Sequence, residues 1–96
     1  MRLNHKEINA IKTCLKEIDP HAEVYLFGSR TDDHAKGGDI DLIIISEKMG
    51  LEEKLRFQGA VKQQIGDQKI DVILTTQESS QKDPFISHQL SKACKL

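Results

Sequence analysis

The residues best suited to chemistry are Gly28-Ser29-Arg30, Asp39-Ile40-Asp41-Leu42 nine positions later, and Asp71, the lone acid of the apolar run Ile70-Asp71-Val72-Ile73-Leu74. In an extended chain residues i and i+2 share a face, so Asp39 and Asp41 project together with Cα atoms about 6–7 Å apart. Two carboxylates at about 7 Å repel by about 2 kcal/mol at an effective dielectric near 20. A hard divalent cation compensates this most simply, since Mg2+ takes oxygen ligands and is commonly shared between carboxylates and substrate phosphates. Asp71 on a neighbouring strand completes a two-metal arrangement with Asp39 and Asp41. One ion would lower the pKa of an attacking hydroxyl while the other steadies the phosphates and the leaving group. The reaction class is phosphoryl or nucleotidyl transfer. Gly28-Ser29 after a strand fits a phosphate cradle, because glycine lets backbone approach the ligand and the Ser29 hydroxyl and exposed N–H groups can donate to phosphate oxygens. Arg30, planar and always charged, suits a triphosphate.

These residues need a scaffold, and the hydrophobic spacing supplies one. Leu3, Ile8, Ile11, Leu15 and Ile18 mark one face of a helix over roughly residues 4 to 19, with Asn4 and Glu7 placed as N-cap and N3 partner and Pro20 as the stop. Val24 to Phe27 reads as a strand ending at Gly28, followed by a polar loop to Gly38. Asp39 to Ser46 reads as a second strand, acidic at its start and then apolar on both faces. Leu51, Leu55, Val61 and Ile65, with Phe57 on the flank, predict a helix that stops at Gly66-Asp67 before a third strand, Ile70 to Thr75. Gln77 to Lys82 reads as polar linker. Asp83-Pro84 is an N-cap and N1 pair, and Ile86, Leu90 and Cys94 at four-residue intervals predict a last helix. The fold class is therefore α/β of the α+β kind: one domain over 1–96, a small mixed β-sheet of three or more strands packed by helices.

Composition narrows the function. The chain has 96 residues, 38% hydrophobic and 30% charged, without Trp, so it has one lean core and marginal stability on its own. Fourteen basic against fifteen acidic residues give a net charge of −1, which argues against bulk nucleic-acid binding by phosphate neutralisation. The longest strongly apolar run, Leu42 to Ile45, is far short of a membrane span, and the first residues hold no signal-peptide stretch, so a cytoplasmic location is expected. Cys14 and Cys94 form no CxxC pair and read as reduced thiols, and His5, His21, His34 and His88 lack zinc-ligand spacing.

The run GSR…GGDIDL, with the later acid in KIDVIL, resembles the minimal nucleotidyltransferases (MNT domains) of the DNA polymerase β superfamily, over nearly the whole chain. The resemblance implies a nucleotidyltransferase-like fold. It implies that Gly28 and Ser29 contact the nucleotide phosphates with Arg30 beside them, and that Asp39, Asp41 and Asp71 are the catalytic metal ligands. Asp71 would be the acid nearest the incoming hydroxyl. It also implies Mg2+, two ions, with ATP as nucleotide donor. Many small members are antitoxins paired with a HEPN-domain toxin, a helical ribonuclease, and some transfer AMP from ATP onto a tyrosine of that toxin. The expected partner is accordingly a HEPN toxin, within a homo- or hetero-oligomer.

This chain departs from the family pattern in its loop. Thr31-Asp32-Asp33 puts an acid where a second basic residue is usual, and Gly37-Gly38 stands where a Ser often precedes the first acid. The loop is also one residue shorter than in many relatives, and Lys36 is the nearest replacement for the missing positive charge. Two other functions compete with transfer to a toxin. One is a non-catalytic antitoxin that blocks its toxin by binding. The other is nucleotidylation of a small molecule such as an aminoglycoside, by enzymes that usually carry an additional domain.

Overall fold

A computed structural model describes residues 3–28 and 39–96. Helix α1 spans His5–Ile18 and opens with the reciprocal cap expected of Asn4 and Glu7. The Glu7 N–H donates to Asn4 Oδ1 at 2.8 Å and the Asn4 N–H donates to Glu7 Oε1 at 3.0 Å, which satisfies two of the amides a helix start leaves without partners. Gln68 Nε2 donates to the other Glu7 oxygen at 2.8 Å, so the cap also ties α1 to the turn before the third strand.

Strands β1 (Glu23–Phe27), β2 (Ile40–Ile45) and β3 (Ile70–Thr75) lie within a residue of the expected bounds. Helix α2 (Leu51–Ile65) joins β2 to β3, and these two strands pair in parallel, which requires such a crossover. With a two-residue strand β4 (Cys94–Lys95), the sheet has the order β3-β2-β1-β4, with β1 antiparallel to both β2 and β4.

Strand β2 is central and buried on both faces, as its apolar run predicts. Its even-numbered residues Ile40, Leu42 and Ile44 join Val24, Leu26, Ile70 and Val72 in the main core, beneath Ile11 and Leu15 of α1 and Phe57 and Val61 of α2. Its odd-numbered residues Ile43 and Ile45 form a smaller cluster with Tyr25, Phe27, Ile73, Ile86 and Leu90 on the opposite face. Ile86 and Leu90 belong to helix α4, Pro84–Lys92, capped by Asp83 Oδ1 accepting from the Phe85 and Ile86 N–H groups.

Three expectations are corrected. Gln77–Lys82 is not a linker but a six-residue helix, α3. Thr76 caps it by accepting from the Ser79 N–H at 3.1 Å, and Glu78 pairs with Lys82 one turn on. With no apolar residue it has no hydrophobic period to read, and local polar bonds form it instead. Cys94 does not continue α4; it lies in the two-residue strand β4 (Cys94–Lys95), where Leu26 faces Cys94 and Tyr25 faces Lys95. A strand this short is specified by pairing with β1, not by its own pattern. The buried face of α2 also differs from the expected one. Phe57 is fully buried and Val61 lies directly beneath it, whereas Leu51 and Leu55 are 69% and 58% exposed. Leu55 is two positions from Phe57, about 200° around the helix, so only one of the pair can face the core.

A buried polar hub closes the end of the sheet away from the acids. Ser46 Oγ donates to Asp19 Oδ2 at 2.5 Å and accepts from the Lys48 and Met49 N–H groups, while Asp19 Oδ1 accepts from the His21 N–H. These bonds fasten the end of α1 to the end of β2. They also hold the Asp19 carboxyl below the usual carboxylate range, the Ser46 hydroxyl contributing most. A cleft of about 220 Å3 beside the hub is lined by Asp19, His21, Ser46 and Lys48, at the opposite end of the strands from the acids.

Candidate active site

The sheet register decides where the acids meet. Asp41 on β2 is directly opposite Asp71 on parallel β3, and opposite Phe27 at the end of antiparallel β1. Neighbouring strands lie about 4.8 Å apart, so the two carboxylates leave the same face on adjacent strands. That face is the one α4 covers farther along, at Ile43 and Ile45, and the acids occupy its other end. Asp39 stands one residue ahead of β2, in step with Asp41. The spacing argument from the sequence thus holds: the start of β2 and the start of β3 gather Asp39, Asp41 and Asp71 at one edge.

Gly28 completes this edge from β1. Its φ of +79° is a backbone state side chains resist, and a Cβ built on it would collide with Asp41 Oδ2. The backbone therefore passes against the Asp41 carboxylate, which only glycine allows here. Ser29 and Arg30, with Lys36 and the rest of the loop through Gly38, lie outside the described residues.

Among the described residues the charges at this edge are only partly balanced. Burial pushes the Asp41 carboxyl above the usual range, the Asp71 and Asp39 carboxylates push it further, and Lys69 opposes them. Lys69 Nζ stands 3.5 Å from Asp39 Oδ2 and 3.9 Å from Asp71 Oδ2. Three carboxylates against one ammonium leave a formal charge of −2 when all are ionised. Among the described residues no three carboxylate, imidazole or thiol groups are drawn together tightly enough to hold a metal as they stand. The donor set nevertheless fits Mg2+. It is all carboxylate oxygen, it carries excess negative charge, and two of its members sit in register on adjacent strands beside a backbone cradle.

Lys69 is the site residue that sequence reasoning passed over. The signal was present, because Lys69-Ile70-Asp71 repeats the alternation of Asp39-Ile40-Asp41 and so places the lysine in step with the acid. Of the other titratable candidates, His34 lies outside the described residues, and the described ones do not join the site. His5, His21 and His88 are exposed elsewhere, and Cys14 is a buried thiol whose pKa burial and Glu17 raise.

Among the described residues, a four-stranded mixed sheet flanked by helices, with an acid pair in register beside a glycine corner, is consistent with a nucleotidyltransferase-like fold. The chain belongs to the nucleotidyltransferase domain family, whose model matches residues 8–96. A comparison with curated proteins gives no match. No helix among the described residues is long and apolar enough to cross a membrane.

Proposed function

We propose that the chain is a Mg2+-dependent nucleotidyltransferase that transfers AMP from ATP to a tyrosine of a partner HEPN toxin and so acts as its antitoxin. The observation that carries this reading is Asp41 in register with Asp71 against the Gly28 backbone. The acceptor oxygen attacks the α-phosphorus, the α–β phosphoanhydride bond breaks, and pyrophosphate leaves. Asp39, Asp41 and Asp71 would hold the metal, which supplies charge neutralisation of the phosphates and a lowered hydroxyl pKa. Asp71 is exposed on edge strand β3, which supports a role as the acid that receives the acceptor and takes its hydroxyl proton. Gly28 lets the phosphates approach backbone N–H groups, with Ser29 and Arg30 as their expected further contacts. The partner must present the acceptor, since Asp71 is exposed on an edge strand. The working location is the cytoplasm.

Intact-mass analysis tests the proposal. Incubation of the toxin with the chain, ATP and Mg2+ should add about 329 Da per AMP to the toxin, and Asp39→Asn/Asp41→Asn should abolish the addition. Unmodified toxin that is nonetheless inhibited overturns the catalytic reading. That result would favour the second reading, a blocking antitoxin, for which the motivating observation is that Lys69 already pairs with two of the acids. The double variant would then still neutralise the toxin in cells.

A further inference from the structure

Lys69 stands at the one place where a cation meets the acid edge among the described residues. The other described ion pairs, Glu78–Lys82 and Glu23–Lys95, lie on α3 and at β4. Its backbone is fixed, because the Ile40 N–H donates to the Lys69 carbonyl at 3.0 Å, which holds Lys69 beside the start of β2. Its side chain is free to leave: it is 68% exposed, and both contacts are single-point ion pairs at 3.5 and 3.9 Å. An ammonium on a flexible stem is a compact point charge without the rigid fork of a guanidinium, so it makes and breaks such pairs at little cost.

We propose that Lys69 is a resident counter-ion of the active site, bridging Asp39 and Asp71 in the metal-free chain and displaced when a divalent cation enters. The proposal rests on the metal-site reading above and adds a competition to it. A cation that recruits Asp39 and Asp71 must break both Lys69 pairs and work against the ammonium's charge. In return, Lys69 steadies the acid edge by offsetting carboxylate repulsion, so the same residue supports the free fold and weakens metal binding.

The test uses the full chain and Mn2+ or Mg2+ alone, without nucleotide, by calorimetric titration at fixed ionic strength on wild type, Lys69→Met, Lys69→Arg and Asp39→Asn/Asp41→Asn. Lys69→Met should bind the metal about tenfold more tightly than wild type, and Lys69→Arg, which keeps the charge, within about twofold of it. In chelator, Lys69→Met should unfold about 2–6 °C below wild type, the scale expected for exposed ion pairs in a domain of this size. Wild-type binding that Lys69→Met leaves unchanged or weakens overturns the counter-ion role and leaves the metal site standing. Binding to none of the chains, or binding that survives in the Asp39/Asp41 variant, overturns the metal-site reading and this proposal with it.

Discussion

Replacing Gly28 by alanine should damage the fold through two separable effects. The left-handed backbone at φ +79° costs a side-chain-bearing residue about 1–2 kcal/mol. The new Cβ would also meet Asp41 Oδ2 and lie 3.2 Å from Asp41 Cγ, so the carboxylate must move against a packed strand, an overpacking cost of about 1–2 kcal/mol more. The total is about 2–4 kcal/mol, or roughly 8–30 °C in Tm for a domain of this size. A double-mutant cycle in urea separates the parts. In the Asp41→Ala background the collision disappears, and Gly28→Ala should cost only the backbone part, leaving a coupling of about 1–2 kcal/mol. A cost equal in the two backgrounds to within about 0.5 kcal/mol would refute the claim that the Gly28 backbone is built against the Asp41 carboxylate.

Asp41→Asn should stabilise the metal-free chain by about 0.5–1.5 kcal/mol at pH 7, because it removes a half-buried charge flanked by like charges. Since the folded pKa of Asp41 is raised, wild type loses stability as pH rises through that value. The advantage of the variant should therefore grow from acid to neutral pH and vanish once Asp41 is protonated, as urea titrations across pH would show. Asp19→Ala should cost about 2–3 kcal/mol by leaving the Ser46 hydroxyl and the His21 N–H without their buried acceptor. Because the Asp19 pKa is lowered, its ionised form contributes stability above the ordinary aspartate range and loses it as pH falls through the folded value, so the penalty should shrink in acid. Phe57→Ala should cost about 3–5 kcal/mol, whereas Leu55→Ala should stay within about 0.5 kcal/mol, and equal losses in denaturation curves would contradict the observed rotation of α2.

Most of the scaffold was legible because its signals are local and redundant. Helix α1 carries both an apolar stripe and a reciprocal cap, and β2 combines a long apolar run with acids at its start. The acid edge was legible for the same reason, since Asp39 and Asp41 share parity and Asp71 interrupts an otherwise apolar strand. What escaped depended on tertiary partners. The rotation of α2 is ambiguous in the sequence, because Leu55 and Phe57 both offer apolar area and packing selects Phe57. Strand β4 is specified by its pairing with β1, and α3 by polar caps, an ion pair and a bond from the Gln77 N–H to Glu47. Lys69 was hidden by type, because a lysine ahead of a strand is ordinary until the register sets it beside Asp39 and Asp71.

The central claim, that the edge formed by Asp39, Asp41, Asp71 and Gly28 binds a metal–nucleotide, is tested most directly by thermal unfolding of wild type and Asp39→Asn/Asp41→Asn with and without Mg2+ and ATP. Ligand at one hundred times its Kd stabilises by about 2.7 kcal/mol, which in a domain this size raises Tm by roughly 10–20 °C. The account predicts a shift on that scale in wild type with Mg2+ and ATP together, larger than with Mg2+ alone, and absent from the double variant. An equal shift in both chains would place the nucleotide elsewhere and contradict it.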